Sequence, residues 1–115
     1  MQLNYPGNMS ETARMVLTTT DSQESASRIA NALVERRLAA CVNIIPGLTS
    51  VYRWQGAVET ASEILLLIKT AAEQLPALEA AVKELHTYEV PEFLVLKVEA
   101  GNRSYLEWLH ASLGS

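Results

Sequence analysis

Residues 38–70, LAACVNIIPGLTSVYRWQGAVETASEILLLIKT, constrain the fold more than any other stretch of the chain. Two long apolar runs flank Gln55-Gly56, and Pro46-Gly47 interrupts the first of them. Gly56 can take the positive φ that a tight hairpin loop needs, so the runs predict one β-hairpin. Arms of about 13 residues at ~3.3 Å each reach roughly 40 Å. A compact domain of this length has a radius of gyration of only about 13 Å. Such a hairpin projects beyond its own subunit, bends sharply, or pairs with another chain. Pro46 cannot donate to a sheet ladder and marks a bulge, an edge or a bend. With Gln55 and Gly56 as the loop, Tyr52 falls opposite Glu59.

The flanking segments supply what the hairpin packs on. Met15 to Thr19 reads as a first strand. Asp21 or Ser22 caps a helix in which Ala26, Ile29, Ala30, Leu33 and Val34 recur at helical spacing. Arg36 and Arg37 fall in its last turn, where they complement the helix dipole. The second strand starts near Ala39, with Ala39, Cys41, Asn43 and Ile45 on one face and Ala40, Val42 and Ile44 on the other. The third runs from Ala57 to Thr70, and its Ile64 to Ile68 stretch is apolar on both faces. A helix follows from Ala71, with Pro76 in its first turn, Leu75, Leu78, Val82 and Leu85 as its stripe, and an end near His86. Phe93 to Val98 forms a fourth strand. Asn102 caps a final helix lined by Tyr105, Leu106, Leu109 and Leu113, with Trp108 beside them.

The order β-α-β-β-α-β with a C-terminal helix is the split βαβ, or ferredoxin-like, arrangement of the α+β class. Its two long helices cover one sheet face, yet the strands are apolar on both. One short helix cannot cover the rest, and an exposed apolar face of that extent is rare on a monomer. Other subunits are expected to bury it, which makes the protein an obligate oligomer. Residues 1–12 read as a polar, disordered lead-in, 13–113 as a single domain, and Gly114-Ser115 as a frayed end.

Nine basic against 13 acidic residues give a net charge of −4. That balance argues against a nucleic-acid partner, which calls for a basic face, and against a polybasic membrane anchor. The single cysteine, Cys41, permits no internal disulfide and fits a reducing compartment. No run approaches the ~18 apolar residues of a membrane span, and the N-terminus lacks the features of a signal peptide. The expected location is the cytoplasm.

Few residues offer chemistry. His86, in ELHTYEVPE, has an imidazole that can bind copper or zinc, but no second ligand stands at metal-motif spacing. The plainer account is a helix C-terminal histidine favoured by the dipole. His110 reads as a surface residue, and Cys41 as a small hydrophobe in an apolar strand. Lys69 shares a face with Leu65, Leu67, Glu59 and Glu63; it snorkels, holds an anion or pairs with Glu63. Glu59 and Glu63 lie roughly 13 Å apart along the strand, too far to share a proton. Tyr52, Trp54, Tyr88, Tyr105 and Trp108 read as core or interface aromatics, Glu89 as a loop carboxylate and Arg53 as a surface charge. Without a Ser/His/Asp pairing or a Gly-rich phosphate loop, the chemistry reads as binding or assembly, not as an enzyme.

LAACVNIIPGLTSVYRWQG, EILLLIKT, HTYEVPEFLVL and GNRSYLEWL together resemble the CutA divalent-cation tolerance family, in order from about Val16 to Leu113. The resemblance implies a tight homotrimer with the architecture of the PII signalling trimers, whose intersubunit clefts bind small molecules. It implies tolerance of divalent metals, copper above all, by metal binding or by PII-like signalling, with no enzyme activity. Carried over by position, His86 becomes the expected metal ligand. Glu59, Glu63, Lys69, Tyr88, Glu89, Tyr52, Trp54 and Trp108 become the expected lining of an intersubunit cleft for an ion or, alternatively, a small anion. Two departures stand out. The family's His-Pro-Tyr is His86-Thr87-Tyr88 here. Some bacterial members carry a cysteine near the position of Thr18, so a copper site using that sulfur is absent.

Overall fold

A computed structural model describes residues 11–114. β1 (Ala13–Thr20) leads into α1 (Gln23–Glu35), then β2 (Cys41–Trp54) and β3 (Ala57–Ala71). A 3₁₀ turn (Ala72–Gln74) opens α2 (Leu75–Leu85), followed by β4 (Leu94–Lys97) and α3 (Arg103–Ala111). The sheet order is β2-β3-β1-β4, antiparallel throughout, as the split βαβ reading requires. Residues 1–10 of the expected lead-in, and Ser115, lie outside the described residues.

Ser22 is the α1 cap: its Oγ accepts from the Ser25 N–H at 3.1 Å, satisfying one of the helix's free donors. Ala26, Ile29 and Leu33 then meet Val16, Leu66, Ile68, Leu78 and Val82 in one fully buried cluster. The arginine expectation was misplaced. α1 ends at Glu35, and Arg37 sits at φ 60, in the left-handed region. From there its guanidinium donates to the Ala111 and Ser112 carbonyls at 3.2 and 3.3 Å, so it complements the C-terminus of α3 instead. Arg36 pairs with Glu84 at 3.3 Å.

α3 is shorter than expected and turned differently. It buries Leu106 and Leu109, while Tyr105 and Trp108 face outward with ring centroids 5.4 Å apart. His110 is half-buried: its Nε2 meets Thr12 Oγ1 at 2.7 Å and its Nδ1 meets the Leu106 carbonyl at 2.9 Å. Gly114 is tied down as well. The Gly114 N–H donates to the Arg37 carbonyl at 3.0 Å, and its own carbonyl accepts from Gln74 Nε2 at 2.6 Å.

The hairpin is long and bent. Its turn places Gln55 at φ 49 and Gly56 at φ 83, and Tyr52 pairs with Glu59 as read from the sequence. Ile45 faces Leu65 and Leu48 faces Glu63, so β2 advances one residue more than β3 across Pro46-Gly47. This is a bulge, with Gly47 at φ 86. Because side chains alternate, one extra residue exchanges the faces of everything beyond it. Before the bulge, Cys41, Asn43 and Ile45 share a face with Lys69, Leu67 and Leu65; after it, Leu48, Ser50, Tyr52 and Trp54 do so with Glu63, Ala61, Glu59 and Ala57. The bulge therefore brings Tyr52 and Trp54 onto the face that carries Glu63. Extents of 47 × 32 × 22 Å and a radius of gyration of 15.3 Å record the projection.

The helices α1 and α2 cover the face of Val16, Leu66 and Ile68. On the other face α3 reaches the Lys69 end of β3, where Lys69 Nζ lies 6.0 Å from the Tyr105 ring centre. Leu94 and Leu96 of β4 remain 54 and 48 % exposed.

Candidate functional site

β1 stops opposite Ile64, so β3 from Ala57 to Glu63 has β2 on one side and no β1 on the other. Near that gap the loop between α2 and β4 approaches the hairpin, and a groove of about 790 Å³ opens between them. Tyr52, Trp54 and Glu63 line it from the hairpin, and Tyr88, Glu89 and Glu92 from the loop. Among the described residues no Lys, Arg or His is part of the lining.

His86 anchors the loop. It is the α2 C-cap and turns extended at φ −78, ψ 148, ending the helix ahead of the 87–93 loop. Its side chain is buried, and both ring nitrogens are in use. Nε2 lies 2.7 Å from the Thr19 carbonyl, which can only accept, so Nε2 carries the proton. Nδ1 accepts from the Tyr88 N–H at 3.0 Å. The Tyr88 ring packs on the imidazole, with centroids 4.7 Å apart.

Held there, the Tyr88 hydroxyl donates to Glu63 Oε2 at 2.7 Å. Burial, this bond, and then the negative charge of Glu63 push the Tyr88 hydroxyl well above the usual tyrosine range, so it stays a donor. The Glu92 carboxyl is also raised, by partial desolvation first and by the charge of Glu63 second. The groove thus combines aromatic walls with carboxylates that repel one another.

Within one protomer the expected residues separate. Tyr52, Trp54, Glu63, Tyr88 and Glu89 converge on the groove. Glu59 stays exposed on the outer hairpin, opposite Tyr52. Lys69 lies six residues along β3 from Glu63, roughly 20 Å away, beside Tyr105 and with Trp108 nearby. A Lys69–Glu63 pair therefore does not form within the protomer. Cys41 sits directly across the ladder from Lys69. His86 is just behind the groove and holds Tyr88 in it. Glu92 escaped the sequence reading; its spacing of three from Glu89 across Pro91 was the available signal.

The fit to a metal ion is incomplete. Among the described residues no three His, Cys, Asp or Glu side chains converge on one point. The groove carboxylates are hard oxygen donors, and Glu63 Oε2 already accepts from Tyr88. A copper ion favouring imidazole would have to displace one of the two His86 hydrogen bonds.

The split βαβ order with a projecting bent hairpin, and a carboxylate-and-aromatic groove at the hairpin base, defines a ferredoxin-like α+β domain. Residues 14–112 match the model of the family described as CutA1 divalent ion tolerance protein, and the chain belongs to that family. The Divalent-cation tolerance protein CutA of Thermus thermophilus is 56% identical over 100 residues, covering 87% of this chain and 97% of that protein. Mouse Protein CutA is 47% identical over 105 residues, covering 91% of this chain but only 57% of its own length. Among solved structures, the T. thermophilus protein superposes with a TM-score of 0.87 at 55% identity, covering 89% of this chain and 99% of that one. CutA1 from Oryza sativa gives 0.90 at 42% identity, covering 94% and 99%. No helix among the described residues is long and apolar enough to cross a membrane. Relatives from Oryza sativa and Arabidopsis thaliana are named as chloroplastic and a solved structure from Archaeoglobus fulgidus as periplasmic, so compartments differ within the family.

Proposed function

We propose that the protein acts in the response to divalent cations, copper in particular, as a cytoplasmic homotrimer whose groove meets the cation. The observation that carries this reading is the groove's one-sided charge: Glu63, Glu89 and Glu92 face it, and among the described residues no basic side chain is in the lining. A concave wall of one sign raises the local concentration of the opposite ion. The trimer rests on the uncovered apolar strand β4 and on the projecting hairpin, both of which a second copy can cover. A neighbouring subunit is also the natural source of the ligands that one protomer lacks.

Native mass spectrometry with and without copper and zinc tests this. A trimer taking up a discrete, saturable number of ions, reduced in Glu63→Gln, is expected. A monomer, or ion uptake untouched by Glu63→Gln, overturns it. Copper(II) electron paramagnetic resonance adds the donor set: oxygen coordination points to the groove, nitrogen coordination to a released His86.

The groove's volume and aromatic walls favour a second reading. About 790 Å³ falls in the range of small-molecule sites, so the domain suits PII-like sensing of an organic ligand. A thermal-shift screen separates the readings, since a ligand bound only by the folded state raises the melting temperature.

A further inference from the structure

We infer that α3 and the segment 112–114 form a strap that lifts from the sheet as one unit while the rest of the fold stays closed, and that Arg37 is its clasp.

Arg37 occupies a place where backbone chemistry favours glycine. α1 ends at Glu35, with Arg36 as its C-cap. The Arg37 N–H then donates to the Val34 carbonyl and the Leu38 N–H to the Leu33 carbonyl, both at 3.0 Å. These paired bonds commonly close a helix before a left-handed residue, and Leu38 completes the ending by packing on the cluster that holds Leu33. The left-handed residue is Arg37 itself, at φ 60, a conformation that a side chain resists and glycine does not. The ending of α1 therefore gains nothing from an arginine at this position.

What the arginine adds lies on α3. Its guanidinium reaches the Ala111 carbonyl at 3.2 Å and the Ser112 carbonyl at 3.3 Å, at the helix end where carbonyls lack a partner within the helix. Its own carbonyl accepts from the Gly114 N–H at 3.0 Å. Gln74 Nε2 adds a bond to the Gly114 carbonyl at 2.6 Å, and His110 meets Thr12. Strained backbone persists where surrounding contacts over-determine it, and the two guanidinium bonds, which glycine could not make, both lead to α3. Every bond of the clasp is made within one chain, and none requires an open surface.

α3 has little else to hold it. At 9 residues it is shorter than the ~12–15 below which an isolated helix is marginal in water. Its buried side chains, Leu106 and Leu109, stand outside the main buried cluster, which draws on β1, α1, β3 and α2. A short element with few core anchors opens locally at a lower free energy than the whole domain unfolds. Lifting the strap parts the Tyr105 ring from Lys69 Nζ, 6.0 Å from its centre. It thereby controls the surroundings of a lysine that has no ion-pair partner among the described residues.

Hydrogen–deuterium exchange of the full chain tests the strap, read by mass spectrometry on peptides spanning 102–114, 23–36 and 60–70. In the wild type the α3 amides should exchange at least about tenfold faster than those of α1 and β3, and at one common rate. Arg37→Gly should speed α3 roughly tenfold further, through the loss of its two guanidinium bonds. In the same variant α1 should keep or gain protection, because glycine relieves the left-handed strain. These opposite responses distinguish a clasp from a general loss of stability. Arg37→Lys, which keeps the charge but not the fork, should fall between. Gln74→Ala should speed the same α3 amides and no others, and it carries the test if Arg37→Gly alters the circular dichroism. Equal acceleration of α1, β3 and α3 makes α3 part of the global unfolding unit and overturns the inference. Unchanged α3 exchange in Arg37→Gly overturns it too, as when a neighbouring subunit holds the helix in place of Arg37. So does wild-type α3 exchanging as slowly as α1.

Discussion

His86→Ala distinguishes a structural anchor from a metal ligand, and its cost can be worked from the contacts. The substitution removes two hydrogen bonds, at 2.7 and 3.0 Å, each with a net value of about 1 kcal/mol. It also removes a buried ring packed 4.7 Å from Tyr88, and incomplete collapse around that space adds roughly another 1 kcal/mol. The expected loss is about 3 kcal/mol. With a urea m-value of about 1.5 kcal/mol per molar, the midpoint falls by roughly 2 M. Urea unfolding followed by circular dichroism, at fixed protomer concentration and with chelator present, measures it. Two conservative variants sharpen the result. An asparagine side-chain oxygen can stand in for Nδ1 of His86, and a glutamine side-chain nitrogen for its Nε2. His86→Asn and His86→Gln should therefore each recover about 1 kcal/mol. If His86 is instead held in reserve for a metal, His86→Ala leaves the chelated protein within about 0.5 kcal/mol of wild type and abolishes ion uptake. That outcome would refute the anchoring argument.

Thr18 is fully buried, and its hydroxyl has no partner among the described residues, so Thr18→Val should be neutral or stabilise by up to about 1 kcal/mol in the same urea assay. Gly47 has open space where a Cβ would stand but a φ of 86, so Gly47→Ala should cost about 1–2 kcal/mol through backbone strain alone, with Gly47→Asn milder, measured by thermal unfolding. The Glu92 carboxyl is raised in the folded protein, so the native state holds its proton more tightly than the unfolded chain does. Stability therefore falls as pH rises from the ordinary glutamate range of about 4.3 through the raised value, and Glu92→Gln should flatten that slope in melting curves taken across acid to neutral pH.

Much of the architecture was legible because it depends on local periodicity. The Leu33 stripe, the Ser22 cap and the Gln55-Gly56 turn each follow from neighbours a few residues apart. The turn alone then fixed Tyr52 opposite Glu59. The residues expected at an intersubunit cleft divide within one protomer. Tyr52, Trp54, Glu63, Tyr88 and Glu89 do come together, whereas Lys69 and Trp108 lie toward the other end of β3. Glu92 was missed because its spacing of three from Glu89 lies in a loop, where no helical or strand period says which side chains share a face. Arg37 was assigned to the wrong helix, since nothing near it in sequence announces that α3 ends within its reach.

Element order, hairpin length and the apolar character of both sheet faces could all be read along the chain, because each is a sum over adjacent residues. Pro46 likewise marked the place where the ladder must fail. Which way that failure turned the outer strand emerged only when two strands met. A single residue gained by β2 over β3 exchanges faces, and register is a relation between two strands that neither states alone. The hydrogen bonds of His86 arose the same way: an imidazole nitrogen can donate or accept, and the approach of the Thr19 carbonyl and the Tyr88 N–H, from distant and local chain respectively, gave each nitrogen its partner.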